Sequence, residues 1–326
     1  MPPSFFPQTV IAVVWDFDKT LIPGYMQEPL FRRFGVEGFA ADGKSGFWDE
    51  VRGLAAFYKK RGLEIVSTDA LYLGHILTYV REGRFPGLTN RMLREMGAEL
   101  AFYDGVPAIF ESLKARPSAL GLAGPPHNIT VEHYVVSTGL RQMVLGSAIA
   151  PYLEGVWACE FVEAVAPPGY LSSEPAVEGD QPIAQVGYSI DNTTKTRAIF
   201  EINKGVNVNP QIDVNSRMAP EDRRVPMQNM VYVADGPSDV PVFSVVHGSG
   251  GRTYAVYQPG SDADFDQARL LLEDGRVHAF GEANYSEGTQ SAMWLRHSVD
   301  EMAKRIARER NDALAVVLGK PPQHIA

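Results

Sequence analysis

Short apolar runs alternate along this chain with longer stretches of helical period. The run VIAVVW at 10–15 is rich in valine and isoleucine and short for a helix, so it reads as a strand buried on both faces. Runs at 131–136, 156–162, 230–234 and 252–257 read the same way, with short strands expected near 184–190 and 277–280. The strands at 156–162 and 184–190 flank a Pro/Gly/Ser-rich excursion and are expected to form a hairpin appended to the sheet. Amphipathic helices are expected up to about 115, at 195–203, through Val240, Val242, Phe243 and Val246, at 264–273, and from 290 to about 310. The stretches 116–127 and 204–229 read as irregular, and the last ten or so residues as frayed. Strands alternating with helices imply an α/β fold with a doubly wound parallel sheet.

Between 26 and 103 the pattern changes to helix after helix. Phe47, Trp48, Val51, Leu54, Ala55 and Tyr58 fall at three- and four-residue spacing. Leu73, Ile76, Leu77 and Val80 repeat it after a candidate cap at Thr68 or Asp69, and Met92, Leu93, Met96 and Leu100 repeat it again. This predicts a helical insert at 26–103 within a discontinuous core made of 1–25 and 104–326, since so long a segment is no ordinary loop.

Three strands end in candidate chemistry. The first runs into Asp16, Asp18 and Thr20, the second into Ser137-Thr138-Gly139, and the one at 230–234 into Asp235-Gly236-Pro237-Ser238-Asp239. Carboxyl ends of parallel strands are where such sheets bind ligands. Asp16 can attack an electrophile, while Asp18 can handle a proton and offer its carbonyl to a metal. Ser137 either presents a hydroxyl and backbone N–H groups to an anion or caps a helix, as Thr138 equally can. Acids from two strand ends suit magnesium, which takes oxygen ligands. Asp191-Asn192-Thr193-Thr194 reads as the cap of a helix whose first turn holds Lys195. A cation there opposes the helix dipole, which points to a partner anion or to an exposed side chain.

Composition narrows the classes. The chain has 326 residues, 45% hydrophobic and 21% charged, and a formal net charge of -9, with no basic run to track nucleic acid. Its one cysteine, Cys159 in an apolar setting, excludes an intrachain disulfide and reads as an inert buried thiol. No run approaches a membrane span, and the opening residues lack a signal-peptide pattern, so the expectation is a cytoplasmic protein with neither membrane nor nucleic acid as partner.

DFDKTL, VVSTGL, a lysine opening a helix, and VADGPSDVPVF resemble, in order, the four motifs of the haloacid dehalogenase superfamily. The insert, DGVPAIFESL and VWACEFVEA resemble its phosphoserine-phosphatase-like branch, with a helical cap of the C1 type. The resemblance implies a Rossmann-like core and a magnesium-dependent phosphatase of a small phosphorylated metabolite. Alternatives on the same scaffold are a phosphotransferase or mutase, and a non-catalytic phospho-ligand-binding protein. It further implies that Asp16 is the nucleophile forming an aspartyl-phosphate, and that Asp18 protonates the leaving group and then activates water. Magnesium is expected on Asp16, the Asp18 carbonyl and Asp235, with Asp239 a further or outer-sphere ligand. Ser137 and Thr138 are expected at the phosphate, Lys195 paired with it, and Thr20 bracing the loop; Lys204 competes for the lysine role. An acid at position 18 favours phosphate ester hydrolysis over carbon dehalogenation. Asp18-Lys19-Thr20 also resembles the phosphorylated motif of membrane ion pumps, but the strand before Asp16 sets another register. In the cap, Arg32, Arg33, Lys44, Arg52, Lys59 and Arg61 are solvated or recognise a second anionic group.

Overall fold

The structure, a computed structural model, describes residues 7–40, 46–64, 67–172 and 180–318, the last four by backbone alone. Strands β1 (Val10–Trp15), β2 (Thr130–Leu140), β3 (Leu153–Val162), β4 (Gln185–Tyr188), β5 (Met230–Ala234), β6 (Arg252–Tyr257) and β7 (Ala279–Glu282) form one sheet in the order β4-β3-β2-β1-β5-β6-β7. All neighbours run parallel except β3 and β4, the expected hairpin. β1 is central. Every residue after Val10 in it is buried, and a strand covered on both faces has no place for a polar side chain until it ends.

The register sets the level of the chemistry. Trp15 lies opposite Val135 on β2 and Val233 on β5, so Asp16, Ser137 and Asp235 all follow within two residues of one line across the sheet. The chain moves outward from β1 through β2 and β3 on one side and from β5 through β6 on the other. That reversal opens a crevice at the carboxyl ends of β1 and β5.

Helices α1 (Glu28–Phe34), α2 (Phe47–Lys59), α3 (Thr68–Arg81) and α4 (Asn90–Gly97) follow β1, within the span read above as a helical insert. They share an aromatic interior, with Phe31 and Phe47 at 5.0 Å, Phe47 and Tyr79 at 5.2 Å, and Tyr79 and Phe85 at 5.0 Å between ring centres. The remaining helices are α5 (Ala108–Lys114), α6 (Arg116–Ala119), α7 (Arg141–Gly146), α8 (Thr194–Lys204), α9 (Val240–Gly248), α10 (Asp262–Glu273) and α11 (Gln290–Leu318). α5, α6 and α11 pack on one another and on β1, β2 and β7, while α8 and α9 pack together on β2, β5 and β6. α4 crosses α7 with backbones touching. A Cβ on Gly97 would stand 2.1 Å from the Met143 carbonyl oxygen, and one on Gly146 would stand 1.7 Å from that of Arg94.

Several sequence expectations need correction. Residues 116–119 form α6 rather than loop, started by Pro117 in its first turn. Neither Thr68 nor Asp69 caps α3; Ser67 holds that position and its side chain makes no capping bond. Leu100 falls beyond α4, and β7 begins two residues later than expected. Neither Ser137 nor Thr138 caps α7, because β2 continues through them to Leu140. α11 runs on to Leu318, and the frayed end expected beyond it lies outside the described residues. No described helix is long and apolar enough to cross a membrane.

Candidate active site

β1 delivers Asp16 buried, with its backbone N–H donating to Val233 O at 2.9 Å. With a period of two, Asp18 falls on the same side and Phe17 on the other, fully buried against Phe102. The chain then turns over the Phe17 carbonyl, which accepts from Thr20 N and Leu21 N, and Lys19 takes the left-handed φ of 56° that the turn requires. Asp18 Oδ1 accepts the Met26 N–H at 2.9 Å, which ties the turn to the start of the insert. Thr20 is buried, its carbonyl accepting from Tyr285 Oη at 2.7 Å, and its own Oγ1 has no hydrogen-bond partner among the described residues.

Asp191 builds the α8 end. Its carboxylate accepts from Thr193 N and Thr194 N at 2.9 and 2.7 Å, and so satisfies donors that a helix start leaves open. Lys195 follows, 1% exposed, and its Nζ donates to Asp16 Oδ1 at 2.9 Å and to Asp239 Oδ1 at 2.7 Å. Those two carboxylates are the anions that the dipole misfit asked for. Lys204 is occupied elsewhere, donating to the Val214 and Ser216 carbonyls. Asp239, wholly buried, also accepts from Tyr232 Oη and from Ser238 Oγ.

Asp16, Asp235 and Asp239 each bring a ligand oxygen into a set lying within 4.8 Å of one another. All the donors are hard oxygens, with no His or Cys in the set, and no described residue donates a hydrogen bond to the Asp235 side chain. Such a group fits a magnesium-sized ion. Electrostatics agree with that fit. Burial raises Asp235 well above the carboxylate range, and Asp16 and Asp239 push it further. Burial likewise raises Asp16, with Lys195 pulling back. Asp18 is pushed up to about 8, by burial first and then by the charge of Asp16. Lys195 pays the same burial penalty, and its two carboxylates more than reverse it.

A cavity of about 320 Å³ opens over these acids. Asp16, Asp18, Asp235, Thr138 and Gly139 line its floor, and Tyr25, Trp48 and Val51, then Thr68, Asp69 and Tyr72, line its far wall. Ser137 is 1% exposed and its hydroxyl accepts the Gly139 N–H at 3.0 Å, shaping the irregular end of β2. The Thr138 carbonyl accepts from Tyr72 Oη and from the buried Cys159 thiol. Sequence reasoning missed Asp69, Trp48, Tyr72, Tyr232 and Ser238 as neighbours of this site. Two of them carried a signal: Ser238 lies within the 235–239 stretch after β5, and Asp69 is a polar residue in the first turn of α3. Of the cations read as solvated or as recognising a second anionic group, none that is described lines the cavity: Arg32 pairs with Glu99, Arg33 with Glu95 and Arg52 with Asp49, and Arg61 covers Phe57. Lys59 is exposed, and Lys44 lies outside the described residues.

No protein-family profile matches this chain. A Borreliella burgdorferi protein bearing the name "Uncharacterized protein" is 39% identical over 295 residues, covering 90% of this chain and 97% of that protein. Among solved structures, a HAD family hydrolase from Salmonella enterica serovar Typhi superposes with a TM-score of 0.48 at 13% identity, over 84% of this chain and 67% of its own. A phospho-aspartyl intermediate analogue of phosphoserine phosphatase gives 0.46 at 14% identity, over 83% and 93%.

Proposed function

For a chain that belongs to one family with the Borreliella protein and carries, at the strand ends of a doubly wound sheet, motifs that resemble those of the haloacid dehalogenase superfamily, we propose a magnesium-dependent phosphatase of a small phosphorylated metabolite. The single observation that carries this reading is Lys195, buried and held between Asp16 and Asp239 at the ends of β1 and β5. A lysine so placed offsets charge on the attacking carboxylate and on the oxygens of a phosphoryl group seated above it.

In this reading the Asp16 carboxylate attacks phosphorus, and the bond from phosphorus to the leaving oxygen breaks, giving an aspartyl-phosphate. The Asp18 carboxyl gives its proton to that oxygen as it departs. The Asp18 carboxylate then takes a proton from a water attacking the same phosphorus, which frees phosphate and restores Asp16. Asp18 reaches both steps because it shares the cavity floor with Asp16, and the Met26 N–H fixes its direction. Gly139, with its neighbours, presents the irregular end of β2 after Val136 to the phosphoryl oxygens, and Ser137 braces it. The Asp16 and Asp235 carboxylates and the Asp18 carbonyl would hold magnesium, which would supply the positive charge that lets an anionic carboxylate meet an anionic phosphate. Asp239, already accepting from three donors, orients Lys195 from the outer side. Helices α1 to α4 act as the cap that closes over the site and excludes water.

The test is phosphate release from a panel of phosphorylated metabolites, with magnesium and with chelator. Magnesium-dependent release that falls by about 10³-fold or more in Asp16→Asn is expected. An Asp16→Asn protein with parental turnover sinks the reading.

A further inference from the structure

We propose that Met26 is a positioning residue for Asp18: its thioether is anchored on the end of β2, and from that anchor its backbone N–H aims the acid at the leaving oxygen. The inference deepens the phosphatase reading and rests on it.

Met26 joins three parts of the site from behind. It is 0% exposed and lines no part of the cavity, so it acts on substrate only through its neighbours. Its N–H donates to Asp18 Oδ1 at 2.9 Å. Its Sδ accepts the Leu140 N–H, also at 2.9 Å. Its methyl end lies against Gly139, where a Cβ would stand 2.2 Å from Met26 Cε and 2.6 Å from Sδ. With this methionine in place, position 139 has room for glycine alone. A thioether is a weak acceptor, and a methionine in a core most often fills space. A filler needs neither a bare glycine beneath it nor an amide aimed at its sulfur, and Met26 has both.

The place of the anchor gives it a role. β2 is irregular between Val136 and Leu140, and in the phosphatase reading that segment, braced by Ser137, faces the phosphoryl oxygens. Met26 therefore refers the acid to the same frame that holds the phosphate. The turn over the Phe17 carbonyl fixes the Asp18 backbone but leaves the carboxyl free to rotate, and the Met26 N–H stops that rotation. Oδ1 accepts the N–H, and no described residue donates to Oδ2. Oδ2 thus carries the proton that passes to the leaving oxygen as the bond from phosphorus to that oxygen breaks, and it takes a proton back from the attacking water. Misplacing a catalytic group by about 1 Å costs on the order of 10²-fold in rate.

The experiment measures kcat/KM, with magnesium, for p-nitrophenyl phosphate and phenyl phosphate in the parent, Met26→Leu and Asp18→Asn. The two esters are close in shape, but p-nitrophenolate departs without a proton and phenol departs with one. kcat/KM reports formation of the aspartyl-phosphate, so the later attack by water, common to both esters, drops out. Leucine keeps the volume and removes the sulfur acceptor. In Met26→Leu, phenyl phosphate is expected to lose roughly tenfold or more relative to p-nitrophenyl phosphate, and Asp18→Asn should shift the ratio the same way and further. Both esters are read on one preparation, so loss of folded protein cancels from the ratio. A ratio that Asp18→Asn shifts and Met26→Leu does not makes Met26 a filler, which overturns the inference and leaves the phosphatase standing. A ratio unmoved by Asp18→Asn removes the acid role of Asp18 and the inference with it. No magnesium-dependent release by the parent from either ester removes the phosphatase reading as well.

Discussion

Lys195 carries its charge in the first turn of α8, against the helix dipole and 1% exposed, and only Asp16 and Asp239 make that tolerable. Removing one partner of a buried charged set leaves the others uncompensated. Without magnesium, Lys195→Met is therefore expected to lower unfolding stability by about 3–5 kcal/mol. Adding Asp239→Asn should recover part of that loss, and denaturant titration of the two variants checks both. A Lys195→Met protein as stable as the parent would mean that the acids hold no net charge there. Single residues were legible in the sequence where an apolar strand stops in an acid, as at Asp16, Asp18 and Asp235. The competition between Lys195 and Lys204 was not, since it turns on what lies opposite each ammonium. Asp69 was misread as a cap, because an aspartate at a helix start serves the dipole whether or not it faces a cavity.

His133 joins three elements. On β2, its Nδ1 accepts from Trp15 Nε1 of β1 at 3.2 Å, and its Nε2–H donates to the Phe110 carbonyl of α5 at 3.1 Å. Both ring nitrogens are engaged in the neutral form, and a proton on Nδ1 would face the indole N–H. Burial, foremost, depresses His133 from 6.5 to about 3. A group depressed in the folded state binds its proton first in the unfolded state, so stability rises with pH wherever only the unfolded chain is protonated. As pH falls from 6.5 towards 3, this histidine should cost stability by up to about 1.4 kcal/mol per pH unit. The check is the slope of unfolding free energy against pH in the parent and in His133→Leu, where this component should vanish; equal slopes refute it. Elements whose two faces are buried were read closely, β1, β5 and β6 to the residue. β2 ran past its expected end because Ser137 and Thr138 look like turn formers, yet they sit in an irregularity of the strand, whose pairing with β3 resumes at Leu140 opposite Cys159. α6 was hidden because its four residues carry a proline, which reads as a break although it is favourable in a first turn.

At the scale of the molecule, α11 binds the last part of the chain to the first. Leu295, Val299, Met302 and Ile306 are buried along it, and Arg116 clasps Asp300 through two bonds of 2.7 and 2.6 Å. Burying four such side chains contributes roughly 6–12 kcal/mol, which matches the whole net stability of an ordinary domain. A chain cut at residue 288 is therefore expected to be insoluble or unfolded, as soluble yield and circular dichroism will show. A folded, soluble truncation would make α11 an accessory. The doubly wound sheet was legible from alternation alone. Which helices share a layer was not, because α11 reaches back across nearly two hundred residues to α5 and α6.

The crossing of α4 and α7 fixes how the insert can move. With backbone against backbone at Gly97 and Gly146, the centre of that contact has no side chain to re-pack, and Arg94 Nε donating to Gln142 Oε1 at 3.0 Å ties its flank. Mechanically it is a pivot rather than a gasket. Opening of the cavity is then expected of the α2–α3 pair, which carries Trp48, Asp69 and Tyr72, and it would break the bond from Tyr72 Oη to the Thr138 carbonyl while the crossing holds as the fulcrum.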